Sequence, residues 1–173
     1  MTIRRSTYQD LDALMPIFDE ARGTIAALGI DQWQNGYPSR DVISEDIDKA
    51  RSYAVEIDGN IRGTFVLVDD GEITYDKIYN GHWLTGDDSQ DYVAIHRVAI
   101  SVSNRGSGMS TAIIDYAEEY ARSIGRTSLR IDTHEGNVVM RRMLEKHGFK
   151  PCGTIYLQNG DSRVAYERRI LPF

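Results

Sequence analysis

The sequence predicts a mixed α/β fold, an α/β or α+β sandwich with helices packed on a sheet. Three observations predict it. Tyr53, Val55 and Ile57 alternate with small or polar residues and lead through a turn to the apolar run at 65–68, which reads as two strands. Met109, Ala112, Ile113, Tyr116, Ala117, Tyr120, Ala121 and Ile124 form one stripe at helical spacing, with Asp115, Glu118, Glu119 and Arg122 off it. The order over 92–133 is strand, helix, strand, which places that helix across a sheet. At 173 residues the chain suits a single domain, 1–173, long enough to bury a core.

Residues 2–5 read as a short first strand. Thr7 followed by Asp10 marks a helix start, with a hydroxyl cap and an acidic first turn. The helix buries Leu11, Leu14, Met15, Phe18, Ala21 and Ile25, and Pro16 inside it predicts a kink or a later start. A loop rich in aromatic and polar residues, 29–38, leads to a second helix at 40–51. The hairpin turns at Asp58-Gly59-Asn60. Residues 71–91 are polar and read as an excursion between strands. Then follow a strand at 92–101, a glycine turn, the helix at 107–124, a strand at 127–133, a helix at 137–147, and strands near 153–158 and 163–170 joined by Gln158-Asn159-Gly160-Asp161.

Composition excludes several classes. Apolar residues are 41% and mean hydropathy is −0.41, and no window approaches the ~18 apolar residues of a membrane span. The net charge of −6 argues against broad nucleic-acid binding. Cys152 is the only cysteine, so no intrachain disulfide or cysteine-based metal site is expected. His134 and Glu135 are adjacent on a strand end and point apart, and no metal is expected. The N-terminal stretch has no apolar core of a secretory signal, so a cytoplasmic location is expected.

The chemistry concentrates at Arg105-Gly106-Ser107-Gly108-Met109-Ser110. Free N–H groups and the positive dipole end at a helix start favour an anion. Gly106 and Gly108 remove side chains that would hold a phosphate away, and Arg105 adds forked donors. The nucleotide-binding G-x-x-x-x-G-K-[ST] loop is absent, and G-x-G-x-x-G fails at Thr111. The alternative is a plain tight turn.

This stretch resembles the [RQ]-x-x-G-x-[GA] signature of the GCN5-related N-acetyltransferases. IHRVAI resembles the strand before that signature, SLRIDTHEGN the strand after it, and VVMRRMLEKHGFKPCGTIYL the following helix and strand. The resemblance runs from about 92 to 170. It implies a mixed, mostly antiparallel sheet with helices on both faces and a splayed central strand pair. It implies acetyl-CoA as cosubstrate and coenzyme A as product, with the pyrophosphate held by Arg105, Gly106, Ser107, Gly108, Met109 and Ser110. Val98, Ala99 and Ile100 would pair with the pantetheine arm, with the Val98 N–H as oxyanion donor, and Asn137 would bind the arm. Arg141 or Arg142 would reach a cofactor phosphate, and a solvated helix face is the alternative. Leu144 stands where the family commonly has a proton-donating tyrosine, so Tyr156, Tyr166 or water would serve.

The implied reaction is direct acetyl transfer to an amine, which needs a base. The candidates are Asp132, then His96, then His134. A structural alternative for Asp132 is pairing with Arg97 or Arg130, and for His96 a hydrogen-bonded core histidine. Trp33 and Tyr37 would wall the amine site, or pin the loop to the core. The expected acceptor is a small-molecule or amino-acid-like amine. The other readings are a coenzyme A-binding partner module without turnover, and transfer to a protein N-terminus or lysine. A homodimer is expected by analogy with family members that pair late strands.

Overall fold

The computed structural model describes residues 1–171, so the last two positions of the expected 1–173 domain lie outside the described residues. The chain runs β1 (Thr2–Arg5), α1 (Leu11–Ala27), α2 (Arg40–Asp48), β2 (Ser52–Ile57), β3 (Asn60–Val68), β4 (Tyr92–Ile100), α3 (Met109–Ser123), β5 (Ser128–Thr133), α4 (Val138–Lys146), β6 (Lys150–Tyr156) and β7 (Ser162–Arg169). The seven strands follow the hydrogen-bonded order β1-β2-β3-β4-β5-β7-β6, mostly antiparallel. The chain divides into two units. One holds Met1–Leu67 and Arg97–Ile113, the other Val68–His96 and Ile114 onward.

In the first unit β1, β2 and β3 pair antiparallel, and Tyr53 opposite Phe65 stacks on it at 5.1 Å. Asp58 and Gly59 both take positive φ, 52° and 77°, which a two-residue hairpin turn requires. The helix start at Thr7 becomes one 3₁₀ turn at Tyr8–Asp10, with the Asp10 carboxylate accepting the Thr7 N–H at 2.7 Å and the Arg4 guanidinium at 2.8 Å. Pro16 therefore falls in the second turn of α1, and the helix runs on to Ala27. The carbonyl that loses its bond belongs to exposed Asp12, within reach of water. Leu11, Leu14, Ile17 and Phe18 of α1 bury against Ile43 of α2 and Ala99 of β4. The α2 helix stops at Asp48 rather than 51, because Ala50 turns left-handed (φ 54°) into β2.

In the second unit β4 pairs parallel with β5 over Tyr92–Ala94 and Ser128–Arg130, and the ladder ends there although both strands continue. β5 then pairs antiparallel with β7, and β7 with β6. The polar stretch 71–91 is more than a surface excursion. It buries Tyr75 and Trp83, and the indole N–H donates to the Tyr75 carbonyl at 3.0 Å. Arg130 is fully buried between the rings of Trp83 and Tyr92, 4.2 Å from each. Its Nε donates to Glu167 at 3.1 Å. Glu167 also accepts from the Leu84 N–H (2.5 Å), the Thr85 hydroxyl (2.6 Å) and the Ser128 hydroxyl (2.7 Å). Those bonds and Arg130 hold the Glu167 carboxyl below its ordinary range, against the upward push of burial. Backbone bonds between Tyr79 and Thr154, 2.7 and 2.8 Å, cover the middle of the β6 edge. Gly81 has no room for a side chain: a Cβ there would lie 1.8 Å from the Cys152 carbonyl.

Among the described residues no helix is long and apolar enough to cross a membrane.

Candidate active site

The glycine turn lies in the first unit. Gly106 and Gly108 take φ of 76° and 83°, a region that L side chains rarely adopt. Nothing lies within 4 Å of a Cβ built on either, so the turn opens outward. The 15-residue α3 begins at Met109, and the first amide of the helix ladder is Ala112, bonded to the Gly108 carbonyl at 3.1 Å. Helix geometry therefore leaves the amides just before Ala112 pointing at the mouth. Arg105, Ser107 and the two glycines are exposed, and Ser110 is half-buried. Arg105 Nη2 donates to the Thr24 hydroxyl at 2.5 Å, which braces it beside the turn. Met109 can offer only its backbone. Its side chain is buried, and its sulfur fills the space that a Cβ on Gly63 would need. These groups fit a diphosphate: an open cradle at a helix mouth and one guanidinium.

Val98, Ala99 and Ile100 end β4. Ala99 faces the first unit's core, and Val98 and Ile100 are half-buried. Trp33 packs on that core, edge to face with Phe18 at 6.0 Å and Tyr37 at 6.4 Å. Tyr37 is 39% exposed, and its hydroxyl accepts from Arg97 Nη1 at 2.7 Å. The loop is thus pinned by Trp33 while Tyr37 reaches solvent.

The titratable cluster lies in the second unit. Tyr75 sits between two of the candidate bases. Its hydroxyl donates to Asp132 at 2.6 Å, and its ring centre is 5.9 Å from that of His96. Burial, then the Asp132 charge, push the Tyr75 phenol well above its ordinary range, so it stays protonated and donates. Asp132 is therefore held by a tyrosine, not by an arginine. Arg97 belongs to Asp46 and Arg130 to Glu167.

His96 Nε2 is buried and pairs with Glu72, 3.3 Å from a carboxylate oxygen. His96 is thus paired with an acid of the excursion, which its structural alternative as a partnered core histidine also allows. Glu72 is fixed from both ends. Its N–H donates to the Tyr92 hydroxyl at 2.9 Å and its carboxylate accepts from Thr74 at 2.8 Å. Burial pushes the Glu72 carboxyl up, but His96 and Thr74 outweigh it and hold it at about 2. Glu72 lines a cleft of about 480 Å³ with Asp70, Asp76, Asp87 and Asp88. His82 pairs with Asp87 at 2.7 Å on the exposed side of the same segment.

The remaining expected residues have partners of their own. His134 Nδ1 accepts the Gly136 N–H at 2.9 Å in the turn after β5. Asn137 caps α4, accepting the Met140 N–H at 3.2 Å. Arg141 turns inward: Nε donates to the Tyr166 hydroxyl at 2.9 Å and Nη1 to the Glu135 carbonyl at 3.0 Å. Tyr166 is buried and donates on to Glu145 at 3.3 Å. Tyr156 is 45% exposed, edge on to Tyr79 at 5.2 Å, and Leu144 is fully buried. Sequence reasoning missed Glu72, Tyr75 and Asp46. The signal available for the first two was an aromatic and an acid beside Ile73 in an otherwise polar stretch.

The profile of the Acetyltransferase (GNAT) family matches residues 12–149. The chain is similar to the crystal structure of a GNAT-family acetyltransferase from Streptococcus agalactiae, at 34% identity over 99% of this chain and 96% of that one, with a TM-score of 0.87. A putative acetyltransferase from Staphylococcus aureus is 23% identical over 99% and 100% of the two chains, with a TM-score of 0.72. The ribosomal-protein-alanine N-acetyltransferase from Brucella melitensis is 18% identical over 99% and 100%, with a TM-score of 0.65. The last two likenesses show the fold alone. No curated protein matches the chain.

Proposed function

Because the chain belongs to the GNAT acetyltransferase family, we propose that it transfers the acetyl group of acetyl-CoA to the amine of a small-molecule or amino-acid-like acceptor. The observation that carries this reading is the turn at Gly106 and Gly108, open and left-handed at the mouth of α3. Arg105, Ser107, Ser110 and the turn amides hold the pyrophosphate, with Met109 contributing its backbone. The end of β4, Val98 to Ile100, offers backbone to the pantetheine arm, and Asn137 is a further contact. Acetyl-CoA supplies an acetyl thioester.

An ammonium has no lone pair, so a residue must take its proton. His96 now leads Asp132, because Asp132 is already engaged by the Tyr75 hydroxyl. The buried His96 Nε2 faces a carboxylate that stays charged down to about pH 2. Leu144 offers no acid, and the Tyr166 hydroxyl is committed to Glu145. Water or exposed Tyr156 meets the departing thiolate, which is a weak enough base to leave without a dedicated acid. The acidic lining beside Glu72 favours approach of a cationic amine.

The test is release of free thiol from acetyl-CoA with a panel of small amines, and mass analysis of peptides offered as acceptors. Thiol release with one or more amines, falling roughly 10²–10⁴-fold in His96→Ala, is expected. Acetylated peptides with no small-amine turnover would move the acceptor to protein. Cofactor binding with no turnover on either would make the chain a coenzyme A-binding module.

A further inference from the structure

Five residues other than glycine take positive φ among those described, and Arg97, at 51°, is the one inside a strand. A single left-handed residue in a strand acts as a bulge. It breaks the two-residue alternation and re-aims the amide that follows. Arginine has no intrinsic preference for that conformation, so something must hold it.

The guanidinium shows what does. Nε and Nη2 donate to the two oxygens of Asp46 at 2.7 and 2.6 Å, and Nη1 donates to the Tyr37 hydroxyl at 2.7 Å. All three nitrogens are used. Asp46 is buried, on the inner face of α2 beside Ile43 and Ile47. A buried carboxylate is costly unless paired, and a bidentate arginine fixes geometry as well as charge. The residue after Arg97 is Val98.

We propose that Asp46 is a positioning residue for acyl transfer. By clamping the Arg97 side chain it holds the β4 backbone left-handed at 97, and so directs the Val98 N–H to the carbonyl oxygen of a bound acyl thioester. Tyr37 supports the clamp from the loop 29–38. The inference rests on the acetyl-transfer reading above, but the clamp and the cofactor turn report separately.

The test uses backbone amide NMR of the full chain with coenzyme A and with acetyl-CoA. In the wild type both ligands move the amides of 105–110, and only acetyl-CoA moves Val98 downfield. Asp46→Asn should keep the response of the turn and lose the Val98 shift. Glycine adopts positive φ without a clamp, so Arg97→Gly with Asp46→Asn should regain it. A Val98 shift that persists in folded Asp46→Asn would overturn the proposal. So would a double variant whose turn responds while Val98 does not. If Asp46→Asn fails to fold, the double variant decides alone by the same criterion. No response of the turn in the wild type would sink the acetyl-transfer reading and with it the role given to Val98.

Discussion

The glycine turn of the first unit and the Tyr75 cluster of the second are built in opposite ways. The turn is made of backbone. Its glycines have empty space around them, its donors are helix amides, and its side chains are mostly exposed. The cluster is made of side chains from distant segments, with Glu72 and Tyr75 from the excursion, Tyr92 and His96 from β4 and Asp132 from β5. It is partly buried, and Arg130 and Glu167 bind the excursion to the sheet beside it. A backbone site tolerates change in its surroundings but not a side chain in its mouth. A side-chain cluster fails when any buried partner is removed.

That contrast can be broken most sharply at Arg130. Arg130→Met leaves Glu167 buried and uncompensated, which costs about 3–5 kcal/mol. Thermal unfolding should fall by on the order of 10 °C in a chain of this size. A fall of a degree or two would mean that the excursion is not fastened there.

The next effect belongs to Glu72. Its carboxyl is depressed from 4.5 to about 2 in the folded chain. Its contribution is therefore fully present above pH 4.5 and is lost as pH falls toward 2, and it amounts to about 3 kcal/mol at most. In thermal melts from pH 6 to pH 2, Glu72→Gln should start less stable than the wild type and converge with it at the acid end. Parallel curves would show that Glu72 is not held as described.

The smallest effect is expected at the turn. Gly108→Ala meets no neighbour and costs only the strain of a Cβ at positive φ, about 1–2 kcal/mol by denaturant unfolding. A much larger loss would mean that the turn is packed rather than open.

The same contrast explains what was legible in the sequence. The glycine turn could be read because φ requirements and helix starts are local, and local constraints leave residue types at fixed spacing. The strand-helix-strand frame followed from periodicity, and its boundaries moved by only one to three residues, as at α3, expected at 107–124 and found at 109–123. The base cluster could not be read. Asp132 and His96 stood out as titratable groups on strands, but their partners Tyr75 and Glu72 come from 57 and 24 positions away, through a segment whose polarity hid two buried aromatics. Arg97 carried no sign of its backbone conformation either, since a left-handed arginine is imposed by tertiary contacts with Asp46 and Tyr37.

The central claim is that the turn at Gly106 and Gly108 holds coenzyme A. The most direct measurement is calorimetric titration of acetyl-CoA into the wild type and into Gly108→Glu, with thermal unfolding to show that both are folded. The expected result is one site in the wild type, a stability gain of about 2.7 kcal/mol at 100 times Kd, and loss of both in the variant. Equal binding by the two folded proteins would move the cofactor away from this turn, and no binding by either would contradict the account.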